Sequence, residues 1–393
     1  MAELLIRAGR VVCPAGSFDG PGAVLIRDGL IVAAGPNIAA PTARVLDFPD
    51  CLALPGLVDF HAHPACEGSK YGVNPDAAFL SRGTTTAMSQ GDAGANGWRR
   101  YGETTVAPSR TRVRLALNLS RRGEAGPGPC FENLADADVA ACIQAIEAAD
   151  QEGVDWIWGI AVNTSVPSCG ATDPREVLRR ALLAAAATNR PLLVGLRREA
   201  DWPLGEQLAL LRPGDVVTYS FSTSPEALVR DGRVRPEAWE AYRRGVWFDL
   251  GHGAASFDFE IAEVALAEGF FPRSLSTDGY RAHEGLTPPH DLPRVISKLI
   301  ACGMAEELAF RHATYAPSTM LHLIRPGRDG SVGPGTLTPG SPGDVAVLRW
   351  NPDAAPLTDC AGRSRTGGCW EPVRVVCAGE VVEAGLDPVG RET

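Results

Sequence analysis

The chain has 393 residues, of which 45% are hydrophobic and 21% charged, so it can bury a large core and is not intrinsically disordered. Its net charge of -10 argues against nucleic acid as a partner, because phosphate binding requires a basic face. The sequence has no run of about 18 apolar residues and no signal-peptide pattern at its start. These features predict no association with a membrane and favour a cytoplasmic location.

Both ends of the chain are predicted to form short strands. The N-terminal apolar runs, broken by Gly, Asp and Pro, are Leu4–Ile6, Val11–Val12, Ala23–Ile26 and Leu30–Ala33. The C-terminal runs of the same kind are Asp344–Leu348, Val373–Val376 and Glu380–Glu383. We therefore expect residues 1–52 and 335–386 to form one small β-domain built from both termini.

The region between residues 53 and 325 alternates between strands and helices. Predicted strands are Arg114–Leu119, Trp156–Val162, Pro191–Leu196, Asp215–Thr218, Val246–Leu250 and Ser274–Ser276. Predicted helices include Pro174–Asn189, which follows a capping Asp and starts with proline, and Asp291–Cys302, which has one apolar face. This alternation predicts parallel β/α units.

The strongest local signal is the segment Leu54–Pro64, an apolar strand that ends in His61-Ala62-His63. Side chains at positions i and i+2 of a strand point to the same side, so the two imidazoles have the spacing of a pair of metal ligands. If the strand belongs to a (β/α)8 barrel, both would face the mouth of the barrel, where active sites lie. The competing interpretation is two loop histidines, each hydrogen-bonded locally.

Two further strand ends carry groups suited to catalysis. Asp278 follows a late strand and could bind a metal and accept a proton from water, or could simply cap a turn. The segment Phe248–Gly253 places Asp249 and His252 at another strand end, between glycines that allow close backbone approach.

Taken together, these segments resemble the amidohydrolase superfamily, specifically its amidohydrolase/deacetylase metallohydrolase branch. The matching stretches are LPGLVDFHAH (54–63), RGTTTAMSQGDAGANGW (82–98), LRPGDVVT (211–218), the segment 244–278 and GSPGDVAVL (340–348). The resemblance implies an α/β fold, with a distorted (β/α)8 TIM-type barrel over residues 53–325 and a small composite β-sandwich over 1–52 and 335–386. It also implies a homodimer.

The resemblance carries only half of the family's metal ligands to this chain. His61 and His63 match the histidine pair of the first strand, and Asp278 matches the aspartate of the last strand, a ligand and general base. The places of the bridging lysine and of two further histidines are taken by Ala161, Gly195 and Tyr219. No histidine lies between His63 and His252, and no lysine lies between Lys70 and Lys298, so no shift of alignment restores these ligands. The chain is therefore expected to hold one Zn²⁺ or other divalent ion, or none.

Other strand-end residues are candidates for the site around a small-molecule substrate. We expect Tyr219 and His252 to join Asp278 in catalysis. Residues expected to contact the substrate are Asp92, Arg197, Arg198, Glu199 and Tyr280.

Three functions remain open on the sequence alone. The first is hydrolysis of an amide, lactam or acyl ester with at most one metal ion. The second is a metal-free elimination, cyclisation, isomerisation or acyl transfer that uses Asp278, the two histidines and Tyr219 as acid–base groups. The third is a non-catalytic binding protein.

Overall fold

The structure, a computed structural model, describes residues 3–16, 18–328 and 330–382. The strands are β1 (Glu3–Val12), β2 (Asp19–Arg27), β3 (Leu30–Gly35), β4 (Arg44–Pro55), β5 (Leu57–Ala62), β6 (Thr84–Gly94), β7 (Arg112–Asn118), β8 (Ile157–Asn163), β9 (Leu192–Gly195), β10 (Val216–Thr218), β11 (Val229–Arg230), β12 (Arg233–Val234), β13 (Trp247–Phe248), β14 (Arg325–Gly327), β15 (Gly330–Val332), β16 (Val345–Asn351), β17 (Leu357–Thr358), β18 (Ser364–Arg365), β19 (Cys369–Cys377) and β20 (Glu380–Val382).

Helices fill most of the connections between the central strands. They are α1 (Pro75–Ala78), α2 (Trp98–Tyr101), α3 (Val139–Gln151), α4 (Val166–Cys169), α5 (Pro174–Thr188), α6 (Leu204–Ala209), α7 (Pro236–Arg244), α8 (Phe259–Ala267), α9 (Leu292–Ala301), α10 (Glu306–His312) and α11 (Tyr315–Met320). The described part of the chain has no helix that is both long and apolar enough to cross a membrane.

Strands from both termini share one sheet, in the order β20-β19-β16-β4-β1-β2-β3. The junction is the antiparallel pair β16 and β4, in which Val345 lies opposite Pro55. Ile6, Val24 and Val376 are among the buried residues that form its core. The β-sandwich expected from the two β-rich ends is therefore present; residues 383–386 of the prediction lie outside the described residues. The domain boundaries themselves stay a prediction.

A second sheet of parallel strands forms the centre of the fold, in the order β5-β6-β7-β8-β9-β10-β13. The ring closes through the segment 274–279, which bridges Asp249 at one edge and Ala62 at the other. The predicted last strand, Ser274–Ser276, is thus present as single bridges rather than as a regular ladder. The result is a (β/α)8 barrel, as expected.

The predicted helix ends agree closely with the structure. The Asp173 side chain caps α5 by accepting from the Arg175 amide, with Pro174 in the first turn. Asp291 caps α9 in the same way by accepting from the Arg294 amide. The sequence analysis did not anticipate β6 as a strand, although all eleven of its residues are buried. It is rich in Thr, Ser and Gly, and its burial comes from pairing with strands on both sides.

Candidate active site

Strand β5 brings three polar side chains to one side of the barrel, because Asp59, His61 and His63 are spaced two residues apart. The barrel's closing segment then places Asp278 beside the histidines: the Asp278 amide donates to the His61 carbonyl at 2.7 Å, and the His63 amide donates to the Gly279 carbonyl at 2.8 Å. The closing backbone contacts therefore assemble a His-His-Asp group at the strand ends.

One ligand atom from each of His61, His63 and Asp278 lies within 4.8 Å of the others, which is the spacing of a group able to hold a metal ion. Asp278 Oδ1 is 3.2 Å from His61 Nε2 and 3.4 Å from His63 Nε2. Both His61 Nε2 and Asp278 Oδ1 are buried and lack a hydrogen-bond partner among the described residues. A shared cation would satisfy both atoms, so the group fits one divalent ion.

The opposite nitrogen of each imidazole is held by a buried partner. The Thr218 hydroxyl donates to Asp249 Oδ2 at 2.8 Å, so its oxygen accepts from His61 Nδ1 at 2.6 Å. His63 Nδ1 donates to Asp92 Oδ1 at 3.0 Å. This pattern leaves Nε2 of both rings facing Asp278, the orientation found in metal-binding histidines.

The close contacts among His61, His63 and Asp278 shift the pKa values of all three side chains. Burial would lower the pKa of His61, but Asp278 and Asp249 together raise it to about 9. His63 behaves alike: burial opposes its charge, yet Asp92 and Asp278 raise its pKa to about 10. Burial would raise the pKa of Asp278, but the two histidines hold it well below the usual range, so its carboxylate is ionised at neutral pH.

The positions of the missing ligands are occupied by other atoms. Ala161 lines the cavity above the barrel. A Cβ at Gly195 would lie 2.8 Å from the Asn163 amide carbon, so Asn163 fills the space beside that glycine. Tyr219 has a φ of +66°, in the left-handed region that non-glycine residues rarely adopt, and its ring packs 5.0 Å from that of His61. None of these three positions therefore carries the lysine or histidine that the resemblance implies for it.

The site opens into a cavity of about 350 Å³ that several predicted residues line: His63, Arg198, Glu199, Tyr219, Asp278 and Tyr280. The Arg198 guanidinium stacks 4.5 Å over the Tyr219 ring and has no ion pair with any described residue. Burial and the nearby Asp278 raise the pKa of Tyr219 well above its ordinary value, so its phenol stays protonated.

Besides His61, which lies beneath the cavity lining, Asp92, Arg197 and His252 were expected at the site and do not line the cavity. Asp92 lies behind His63 and also accepts from the Ser69 and Ser89 hydroxyls. Arg197 turns away to pair with Glu199 and Asp201. Asp92 and Arg197 therefore lie outside the cavity lining, and contact of either with a substrate stays a prediction.

His252 also lies outside the cavity lining, and its part in catalysis stays a prediction. Its Nδ1 donates to the Gly253 carbonyl at 2.8 Å, and its Nε2 accepts from Lys298 Nζ at 2.8 Å. With both ring nitrogens engaged and the ring stacked on Phe257, it has no free atom to offer a substrate.

Three amide side chains that were not predicted from the sequence line the same cavity: Gln90, Asn118 and Asn163. Each lies in the last part of a barrel strand, on β6, β7 and β8 respectively. A polar amide in a buried strand near its carboxyl end was the signal that could have identified them.

Known proteins with similar sequences span nearly the whole chain, although no model of a protein family matches it. A deacetylase from Enterococcus faecalis is 28% identical and covers 97% of this chain and 99% of its own length. A dihydroorotase from Solibacter usitatus is 40% identical, with 92% of both chains covered.

Solved structures give the same result. The crystal structure of an adenine deaminase has a TM-score of 0.84 and 26% identity, covering 97% of this chain and 100% of that chain. The crystal structure of a dihydroorotase has a TM-score of 0.83 and 26% identity, covering 97% of this chain and 99% of that chain. The similarity thus includes both the barrel and the sheet built from the termini.

Proposed function

The chain belongs to the amidohydrolase superfamily, and from that premise we propose that it hydrolyses an amide, lactam or acyl ester bond with one divalent ion held by His61, His63 and Asp278. It is an enzyme that acts on carbon–nitrogen bonds of small molecules. The observation that carries the proposed centre is the facing pair of buried atoms without partners, His61 Nε2 and Asp278 Oδ1.

The supporting hydrogen bonds favour an ion at this place. Thr218 holds His61 and Asp92 holds His63, each through Nδ1, which fixes both Nε2 atoms as ligands. When bound, a divalent ion supplies Lewis acidity that polarises a carbonyl and makes water more acidic. We propose zinc, because two imidazoles and one carboxylate with an open fourth position are a common catalytic zinc set.

Asp278 is the proton carrier of the proposed reaction. Its carboxylate is ionised at neutral pH, lines the cavity and is held by the backbone contact to His61. It takes a proton from the attacking water and delivers it to the leaving nitrogen or oxygen. Gly253 leaves room for this carboxylate, since a Cβ there would lie 2.5 Å from Asp278 Oδ2.

Arg198 provides the main recognition element for the substrate. Its guanidinium lines the cavity and rests on the Tyr219 ring, without an ion pair to any residue described in the structure. A planar guanidinium that is held in place and unpaired suits a carboxylate. We therefore propose a small acylated or cyclic amide that carries an anionic group, with Glu199 and Tyr280 completing the wall.

A metal-free enzyme is the second candidate, because Ala161 and Gly195 have no side-chain atom that can bind a metal. In that case Asp278 would lie between two charged imidazoles, whose pKa values of about 9 and 10 make them proton donors. Such a group could perform elimination, cyclisation, isomerisation or acyl transfer.

Metal content and turnover, measured together, test the proposal. Protein purified without a chelating tag is analysed for metal, then assayed against N-acetylated amino acids, cyclic amides and acyl esters before and after treatment with a chelator. We expect one ion per chain and hydrolysis that disappears on chelation and returns with zinc. Turnover that persists in metal-free protein would replace this proposal with the second candidate.

Two further features are part of the proposal. We propose a homodimer, on the basis of the resemblance, and a cytoplasmic location. Light scattering of the purified protein and fractionation of the producing cells test them.

A further inference from the structure

Gln90 is a buried amide side chain that none of the roles described above requires. It lies in β6 and is 7% exposed. It lines the same cavity as Tyr219 and Asp278. Its position at the carboxyl end of a barrel strand is one from which this fold supplies functional groups.

The oxygen of the Gln90 amide has a hydrogen-bond partner, whereas its nitrogen has none among the described residues. Its Oε1 accepts from the Tyr219 hydroxyl at 3.0 Å. Its Nε2 is buried and has no hydrogen-bond partner among the described residues. Because Tyr219 holds the oxygen, the nitrogen is the part of the amide left to contact a molecule in the cavity.

An unpaired buried donor is unusual and requires an explanation. This chain satisfies a buried glutamine elsewhere: Gln207 accepts from the Arg197 amide and donates to the carbonyls of Arg197 and Trp202. Gln90 differs from Gln207 in that it lines the cavity of the proposed active site. A donor left unpaired in an active site is available to a ligand.

The surroundings of Gln90 keep its amide in a fixed orientation. Tyr219 is itself held by packing, with the His61 ring at 5.0 Å and the Arg198 guanidinium over its face. The Tyr219 hydroxyl donates to Gln90 Oε1, so the amide nitrogen is turned away from it. Donors that are oriented before the reaction are the ones that stabilise developing charge most effectively.

We propose that Gln90 Nε2 donates a hydrogen bond to the carbonyl oxygen of the bond being cleaved, and more strongly to the oxyanion that this oxygen becomes. This inference rests on the proposed hydrolytic function. Water attacks the carbonyl carbon, its proton passes to Asp278, and the carbonyl π electrons move to the oxygen that Gln90 contacts. The C=O bond then re-forms as the C–N or C–O bond breaks, and Asp278 returns the proton to the leaving group.

Two variants and one control separate this role from packing. Gln90→Met removes both N–H donors at similar length, and Gln90→Glu keeps the shape and the acceptor for Tyr219 while removing the donors. The control, Gln144→Met, makes the same change at an exposed position on α3. Circular dichroism and melting temperature establish that each variant is folded.

Two measurements are then made on the intact protein. The first is kcat and KM for N-acetylglycine and for its N-thioacetyl counterpart, whose sulfur is a weak hydrogen-bond acceptor. The second is calorimetric titration with methylphosphonate, a tetrahedral anion, compared with planar acetate.

A donor to the oxyanion predicts that both Gln90 variants lose about 10²–10³-fold in kcat on the oxygen substrate, with little change in KM. The loss on the thio substrate is smaller, about tenfold or less, because its sulfur uses the donor poorly. Both variants also weaken methylphosphonate binding at least about tenfold relative to acetate, as expected for a contact made to the tetrahedral form. A role in packing alone would lower the rates on both substrates equally.

The outcomes for Gln90 and for hydrolysis are distinguishable. If the wild-type protein hydrolyses and the folded Gln90 variants stay within about threefold of it, the donor role is wrong while the proposed function stands. If the wild-type protein hydrolyses nothing but the variants weaken methylphosphonate binding as predicted, the donor role stands and the proposed function fails. If there is neither hydrolysis nor weakened binding, both are wrong.

Discussion

The side chain of Asn163 occupies the space beside Gly195, so closely that a Cβ at residue 195 would lie 2.8 Å from its amide carbon. Asn163 and Gly195 are paired neighbours at the ends of β8 and β9. The structure has thus filled the space towards which a ligand at residue 195 would point. The loss of that ligand is accompanied by repacking and is not a simple deletion.

This relationship predicts at most one divalent ion per chain. Elemental analysis after dialysis against excess zinc should give a ratio no higher than one. Gly195→His should not raise it, because Asn163 blocks the added imidazole. Tight binding of two ions by the wild-type protein would show that the ligand assignment is wrong.

Thr218→Val is predicted to weaken metal binding about 10–100-fold, because the hydroxyl that orients His61 is lost while the side chain keeps its shape. Competition with a chromogenic chelator measures the change. Thr86→Val is the matched control, since that buried strand threonine contacts Arg112 and no histidine. If the Thr218→Val and Thr86→Val proteins bound the metal ion with equal affinity, Thr218 would have no role in orienting His61 as a ligand.

Asp278→Asn is predicted to lower turnover by about 10²–10⁴-fold, because it removes a proton carrier and keeps the size of the side chain. The protein should stay folded, since the backbone contact to His61 does not depend on the carboxylate. If Asp278 only caps the turn, the variant would lose melting temperature and keep its turnover number. Steady-state kinetics on protein shown to be folded distinguishes the two.

The centre of this site could be predicted from the sequence because it depends on local periodicity and on the fold. His61 and His63 face one way because a strand repeats every two residues, and Asp278 joins them because the last strand of a closed barrel lies beside the first. The predicted ends of α5 and α9 were correct for a similar reason, since capping is local.

The orientation of other strand-end side chains could not be predicted in this way. His252 follows the end of a barrel strand, as a site residue would, but its Nε2 is hydrogen-bonded to Lys298, which is 46 positions further along the chain. Gln90 lies in a strand with few large apolar residues, so β6 was not recognised, and its unpaired nitrogen depends on a contact with Tyr219. Both outcomes depend on tertiary contacts that a single sequence does not show.

Lys298 predicts an unusual pH dependence of stability. It is buried, its partner is the neutral His252, and no described carboxylate lies within ion-pair distance. Burial lowers its pKa from 10.5 to about 8. Between about pH 8 and 10.5 the unfolded chain therefore binds more protons at this lysine than the folded chain does. The contribution of Lys298 to the free energy of unfolding therefore increases as pH rises, by up to about 1.4 kcal/mol per pH unit.

Urea unfolding of the wild type and of Lys298→Met at pH 7.5, 9 and 10 tests this sign. Because other groups also titrate there, the difference between the two proteins is the informative quantity. The stability of the variant relative to the wild type should fall steadily as pH increases. A difference that does not change with pH would show that the lysine remains charged throughout.

The last prediction compares two buried glutamines, Gln90 and Gln207. Gln207→Met removes three hydrogen bonds and leaves the amide of Arg197 and two carbonyls without partners, so we expect a loss of at least about 2 kcal/mol. Gln90→Met removes a donor that is already unpaired, at the cost of one bond from Tyr219. Its free energy of unfolding should therefore change by less than about 1 kcal/mol, or should increase.

The effects of the two substitutions on turnover should be the reverse of their effects on stability. The folded fraction of Gln207→Met should keep most of its activity, because that side chain lies outside the cavity lining, whereas Gln90→Met should be nearly inactive. Denaturant unfolding combined with kinetics on the same preparations gives both quantities. A Gln90→Met protein that is strongly destabilised yet fully active per folded molecule would contradict this, because the unpaired nitrogen would then serve the fold and not the reaction. A Gln90 side chain that contributes little to stability but much to turnover is what we expect of a polar group that binds a ligand, whereas Gln207 should contribute mainly to stability.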